Sequence, residues 1–274
     1  MIVPPFPTVT GSPARAVLAA ALLAVAGCGA APTAPAPAAV SATPAPVPTL
    51  RPEVLAELPH DTTAFTQGFE IDDGVLYEGT GLEGRSQLRE LDPETGAVRR
   101  SVPLPGQLFG EGITVVGDRI WQLTWRDGVA LEWDRASLTL LREVPLDGEG
   151  WGLCHDGARL VRSDGTDRLR FHDPLTFAEQ GSVTVTLNGT PVTELNELEC
   201  VGGQVWANVW QTDRIVRIDP ATGRVTAVVD AAGLLDPARR AGADVLNGIA
   251  ALPDDEFLVT GKLWPVTFRV RFVG

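Results

Sequence analysis

Gln67-Gly68-Phe69-Glu70-Ile71-Asp72-Asp73-Gly74-Val75-Leu76-Tyr77-Glu78-Gly79-Thr80-Gly81 reads as two short strands around a tight turn. Apolar residues alternate on either side of Asp72-Asp73-Gly74, and an acidic pair followed by glycine is turn chemistry. The same phrase returns four more times, opening at Glu111-Gly112-Ile113, Trp151-Gly152-Leu153, Asn196-Glu197-Leu198 and Asn247-Gly248-Ile249, with spacings of 44, 40, 45 and 51 residues. Each opening leads through a turn (Val116-Gly117-Asp118, Asp156-Gly157, Gly202-Gly203, Asp254-Asp255) into a second strand ending near Trp125, Gly165, Trp210 or Lys262. Third strands are expected at Gln87–Leu91, Ala130–Trp133, Leu169–His172 and Ile215–Ile218. Several then turn on Asp-Pro, as in Asp92-Pro93-Glu94-Thr95-Gly96, toward a fourth. Helical periodicity is nearly absent after residue 50.

Four strands about every 45 residues is the signature of a β-propeller, here an all-β, five-bladed one. The last repeat reaches a third strand at Phe268–Phe272, while Val54–Leu58 stands before the first repeat without a partner. Val54–Leu58 is therefore expected to serve as the outer strand of the last blade and close the ring. Such closure removes two exposed strand edges at once.

The segment before the repeats is of another kind. Residues 1–27 hold one basic residue, Arg15, and an apolar run, Ala16 to Ala26, too short for a stable membrane span. They read as a signal peptide. Val25-Ala26-Gly27-Cys28 resembles a bacterial lipobox, so the mature chain is expected to begin at a lipidated Cys28; an ordinary signal peptide cut elsewhere is the alternative. Residues 28–50 are mostly Ala, Pro, Thr, Ser and Val, a composition suited to an extended tether. The propeller is assigned to residues 51–274. The protein is expected outside the cytoplasm, a monomer, touching the membrane only through its lipid.

A formal net charge of −13 argues against nucleic acid as a partner. The three histidines, His60, His155 and His172, show no ligand spacing, so neither a metal nor another cofactor is expected. No Gly-rich phosphate loop and no Ser-His-Asp pattern is present. Cys154 and Cys200 are able to pair in an oxidising compartment, and the sequence leaves that open.

In a propeller the inner strands line the channel. The first residues of the five phrases, Gln67, Glu111, Trp151, Asn196 and Asn247, then fall in one ring, and Gly81, Trp125, Gly165, Trp210 and Lys262 in a neighbouring one. Together they describe an aromatic cup with one carboxylate, one ammonium and several amides, suited to an uncharged polar ligand. Lys262 is the only lysine among 22 basic residues, which singles it out as a point-charge donor. Glu111, between Gly110 and Gly112, is a candidate for a desolvated, proton-holding carboxyl. Its alternatives are a structural cation or a pair with Arg126. The tryptophans have blade packing as their alternative, as expected for Trp121 and Trp206, and the amides have strand capping.

His60-Asp61-Thr62-Thr63-Ala64-Phe65-Thr66-Gln67-Gly68-Phe69 resembles the opening of glutamine cyclotransferases of the plant and bacterial type. The resemblance continues in order through Phe109-Gly110-Glu111-Gly112, Gln122-Leu123-Thr124-Trp125, Gly150-Trp151-Gly152, Leu195-Asn196-Glu197, Ala207-Asn208-Val209-Trp210, Leu246-Asn247-Gly248 and Thr260-Gly261-Lys262. It implies a five-bladed propeller that turns N-terminal glutamine of peptides into pyroglutamate and ammonia without zinc. It further implies catalytic Glu111 and Lys262, and substrate contacts from Phe65, Gln67, Trp125, Trp151, Asn196 and Trp210. The competing expectations are a propeller that only binds peptides or cell-wall fragments and a metal-dependent propeller lactonase. The latter needs several converging carboxylates, whereas the two rings contain Glu111 alone.

Overall fold

The structure is a computed structural model and describes residues 46–274. The signal peptide, the lipobox and Cys28, and the tether as far as residue 45 lie outside the described residues. Among the described residues the only helical element is a single 3-10 turn, Pro237–Arg239; the regular structure is otherwise strand. No described helix is long and apolar enough to cross a membrane.

The strands fall into groups of four. The first group is β2 (Thr66–Asp72), β3 (Val75–Thr80), β4 (Gln87–Leu91) and β5 (Val98–Pro103), after the opening strand β1 (Thr49–Pro59). The second is β6 (Gly110–Val116), β7 (Arg119–Thr124), β8 (Val129–Asp134) and β9 (Thr139–Pro145). The third has short inner strands, β10 (Leu153–His155) and β11 (Leu160–Arg162), then β12 (Arg168–His172) and β13 (Glu179–Thr184). A small hairpin, β14 (Thr186–Leu187) with β15 (Thr190–Pro191), precedes the fourth group. That group is β16 (Leu195–Val201), β17 (Gln204–Val209), β18 (Arg214–Asp219) and β19 (Arg224–Asp230). The chain finishes on β20 (Leu246–Ala251), β21 (Glu256–Gly261) and β22 (Val266–Val273). Within each group neighbouring strands pair antiparallel in chain order.

The turns follow from their residues. Asp92 Oδ1 accepts from the amides of Glu94 and Thr95, and Gly96 takes a φ of 67°. Asp219 and Gly223 repeat the device between β18 and β19. A carboxylate that satisfies turn amides and a glycine that tolerates positive φ together reverse the chain within five residues.

β1 lies antiparallel to β22, with Arg51 opposite Val273 and Pro59 opposite Val266, and its first residues run parallel to β19. The strand expected at Val54–Leu58 is therefore longer at both ends and begins inside the stretch read as tether. Main-chain pairing, not side-chain alternation, sets its length. Pro52 is tolerated because β1 is an outer strand of its group.

The first strands of the groups lie side by side: β2 against β6, β6 against β10, β10 against β16, β16 against β20, and β20 against β2. The core is divided the same way. Tyr77 and Leu88 pack on Ile120 and Leu131; Trp121 and Leu123 on Leu153 and Leu160; Val161 and Leu169 on Leu198 and Val205; Trp206 and Ile215 on Phe257 and Val259; and Leu258 on Phe69 and Leu76. Each apolar cluster thus belongs to two neighbouring groups, so no group buries its faces alone. Cys154 of β10 and Cys200 of β16 are joined as a disulfide, which links two such neighbours.

Candidate active site

Where the inner strands begin they crowd one another. A Cβ on Gly152 would stand 2.0 Å from the carbonyl oxygen of Asn196, and one on Gly112 would stand 2.6 Å from the amide nitrogen of Leu153. Glycine after the first residue of a phrase is thus a condition of close approach, and it fixes Glu111 and Trp151 at the edge of the crowded zone. The fourth phrase has Glu197 at this position. Its buried carboxylate crosses to two other groups, accepting from the amides of Phe69 (3.2 Å) and Ile249 (2.8 Å).

Beside this zone lies a cup of about 410 Å³ lined by Phe65, Phe109, Glu111, Trp125, Trp151, Asn196, Trp210, Gln211, Asp244, Val245 and Lys262. Glu111, Trp151 and Asn196 of the first expected ring and Trp125, Trp210 and Lys262 of the second are among the lining residues; Gln67, Asn247, Gly81 and Gly165 are not, and the other five lie outside both rings. Trp125, Trp210 and Lys262 each follow a second strand directly, whereas Gly165 stands three residues beyond β11. A Cβ on Gly165 would meet the Trp151 ring at 2.7 Å, so this glycine makes room for an indole. Trp125, Trp151 and Trp210 are half-buried, whereas Trp121, Trp133, Trp206 and Trp264 are buried among apolar neighbours. The cup is therefore walled by the tryptophans that packing between the strand groups does not use. Phe109 stands 5.5 Å from Trp125, and Trp151 meets Trp210 edge-on at 5.5 Å.

Glu111 is 4% exposed. Burial pushes its carboxyl well above the ordinary range, against the pull of Lys262 and with a further upward push from the charge of Glu149. Lys262, also 4% exposed, is held below the usual lysine range by burial, opposed by the nearby charges of Glu111 and Asp244. Its Nζ sits 4.8 Å from the centre of the Phe65 ring. Gln67, expected to donate to substrate oxygens, is not among the lining residues. Its Nε2 donates to Glu111 Oε1 (3.0 Å), while its own Oε1 accepts from Asn247 Nδ2 (3.3 Å). Asn247 likewise supports the floor, whereas Asn196 lines the cup with its Oδ1 buried and unpartnered.

Lys262 is tied from behind. Leu263 donates its amide to Ala64 O (2.7 Å), His60 Nδ1 donates to Trp264 O (2.8 Å), and His60 Nε2 lies 3.2 Å from buried Glu78 Oε1. Glu78 also accepts from Thr66 Oγ1 (2.7 Å) and Arg89. With both ring nitrogens facing acceptors, the His60 pKa is raised: burial opposes protonation and Glu78 outweighs it. His172 faces Phe177 and takes no part in the cup.

One alternative falls away and one residue joins the site. Arg126 pairs with Glu149 (2.7 Å), not with Glu111. Glu149, which sequence reasoning passed over, accepts from two cup tryptophans at once, Trp125 Nε1 (2.8 Å) and Trp151 Nε1 (3.0 Å). Its only trace in the sequence is its place between two glycines, one of them beside Trp151. Among the described residues no group of three or more His, Cys, Asp or Glu side chains is arranged to hold a metal ion.

Comparison with known proteins places these features in context. The family model described as glutamine cyclotransferase matches residues 19–272. The glutaminyl-peptide cyclotransferase of Arabidopsis thaliana is 41% identical over 226 residues, covering 80% of this chain and 70% of its own. The crystal structure of Myxococcus xanthus glutaminyl cyclase matches at a TM-score of 0.77 and 40% identity, over 84% of this chain and 99% of its own.

Proposed function

The chain belongs to the glutamine cyclotransferase family, and from that premise we propose that its cup cyclises N-terminal glutamine of peptides to pyroglutamate with release of ammonia. The observation that carries the mechanism is a buried carboxyl, Glu111, set beside a buried ammonium, Lys262, inside an aromatic wall. The substrate α-amine attacks the side-chain amide carbon, forming the ring C–N bond. The bond from that carbon to the amide nitrogen then breaks. Amide nitrogen leaves poorly until protonated, so one proton must travel from the attacking to the departing nitrogen. Glu111 is the relay, its carboxyl held well above the ordinary range by burial. Gln67 fixes the relay's orientation through its Nε2. Lys262 and Asn196 offer donors to the carbonyl oxygen as it gains negative charge. Trp125, Trp151, Trp210 and Phe65 hold the side chain folded so that amine and carbonyl meet. In reaction class this is an aminoacyl transfer whose acceptor is the peptide's own amine.

Ammonia release from a glutaminyl peptide, coupled to a loss of 17 Da in the product, tests the reading. No release from any glutaminyl peptide by folded protein would overturn it and leave a peptide-binding role.

For the architecture, the reading is a five-bladed propeller in which β1 is the outer strand of the last blade. Its support is the pairing of β1 with β22 and the succession of inner strands back to β2. For location, the reading is a monomeric lipoprotein outside the cytoplasm, supported by the signal-like segment and Cys28. The Cys28→Ala variant should then accumulate as uncleaved or mislocalised precursor; membrane-bound protein at mature size would refute the anchor.

A further inference from the structure

We propose that Glu149 is a positioning residue for this reaction, a rim carboxylate that sets two walls of the cup at once; the assignment rests on the function proposed above. The loop joining β9 to β10 carries it between Gly148, at a φ of 75°, and Gly150. Gly150 donates its amide to Thr124 O (3.2 Å) and Trp125 O (3.1 Å), and a Cβ there would stand 2.6 Å from Thr124 O. The loop is therefore pinned to the backbone that carries Trp125. From this point Glu149 Oε2 accepts from the indole N–H of Trp125 and of Trp151, while Oε1 accepts from Arg126 Nε.

The arrangement does three things. It gives both indole N–H groups one shared anionic oxygen and leaves the second oxygen for Arg126, whereas a neutral amide offers only one acceptor, and a weaker one, for the three donors. It holds Arg126 across the Trp125 ring, 4.0 Å from the ring centre, so the outer face of that wall is capped by a cation. Through Trp151 it also sets the edge-on contact with Trp210. One side chain thereby orients Trp125 and Trp151 directly and Trp210 at one remove. The Glu149 side chain is 32% exposed and is not among the residues that line the cup, so its effect on the reaction is assigned to the indoles and to its charge. Its charge also favours the protonated form of Glu111.

The experiment compares wild type with Glu149→Gln and Glu149→Asp, using ammonia release across pH and acrylamide quenching of tryptophan emission. Glutamine matches glutamate in size but carries no charge, and whichever way its amide is turned it sets an NH2 group against a donor, either Arg126 Nε or the two indoles. The expected result for Glu149→Gln is a fall in kcat/KM of about tenfold or more, mostly in KM, with an unchanged melting temperature. The limb of the pH profile assigned to Glu111 should move to lower pH, and quenching should increase. Glu149→Asp keeps the charge but withdraws the acceptor, so KM should rise while the pH limb stays. A merely structural loop would leave the limb in place in both variants. Wild-type kcat/KM, pH limb and quenching in both variants would overturn the proposal. Quenching needs no turnover, so it decides the indole clamp even if wild type releases no ammonia, an outcome that would count against the cyclotransferase reading alone.

Discussion

Glu111 has to take a proton from one nitrogen and yield it to another, and its surroundings bear on both halves. Burial makes the neutral acid easy to form, while Lys262 keeps the anion accessible. Replacing Glu111 by Gln preserves the acceptor for Gln67 Nε2 and abolishes the relay. The kcat should fall by about 10²–10⁴, whereas peptide affinity should change far less, because the aromatic walls remain. Parallel measurement of turnover, peptide binding and melting temperature checks this, and near-normal turnover in folded protein would remove Glu111 from the mechanism. Much of this constellation is legible in the sequence, because alignment of the five phrases puts Glu111, Trp125, Trp151, Asn196, Trp210 and Lys262 at equivalent edges. Glu149 and the true partner of Gln67 are not. Both depend on where a side chain finds its hydrogen-bond partner across groups, and a repeat alignment carries no information on that. Asp244 and Gln211, in the connections that differ most between repeats, escape for a related reason.

At the scale of the element, the inner strand is governed by lack of space. Gly152 faces the Asn196 carbonyl so closely that a methyl group at 2.0 Å forces β10 and β16 apart, against the disulfide that ties them. Gly152→Ala should therefore destabilise the protein by about 1–3 kcal/mol, as overpacking does. It should also lower activity, because Trp151 and Asn196 move with the two strands. A melting curve and a rate together check it. A variant with unchanged melting temperature and unchanged kcat/KM would show that the neighbouring strand yields freely. The pattern of glycines was visible as a repeat, but its cause was not, since it lies between strands about 45 residues apart. The same blindness explains β1: its alternation marks only Val54–Leu58, while pairing with β22 and β19 extends it to Thr49–Pro59. It also explains why Glu197 reads as a broken repeat, although its carboxylate satisfies amides of two other groups.

At the scale of the whole molecule, the closely set inner strands enclose carboxyls that, among the described residues, form no ion pair. Burial raises Glu197 and Glu199 well above the ordinary range and Glu70 to about 7, with the charge of Asp72 adding to Glu70 and that of Arg135 opposing it. A carboxyl whose folded pKa lies above its unfolded value binds more protons folded than unfolded between the two. Its stabilising contribution is complete below about 4.3, the unfolded value, and is lost as pH rises through the folded value. For Glu70 the window runs from about 4.3 to about 7, and the loss is on the order of 2–3 kcal/mol, taken low because part of the side chain still touches solvent. His60, raised by Glu78, acts in the same direction, whereas His155 and His172 are lowered by burial and lose stability as pH falls. The wild-type profile is thus a sum of opposed contributions, and a single variant isolates one of them. Glu70→Gln keeps an acceptor for the Val115 amide and has no charge to desolvate. Its melting temperature relative to wild type should therefore rise between pH 5 and pH 8, by several degrees at the upper end. Profiles that run parallel across that range would mean that Glu70 is ionised in the folded protein throughout, and that water or a bound cation reaches it inside the ring of strands.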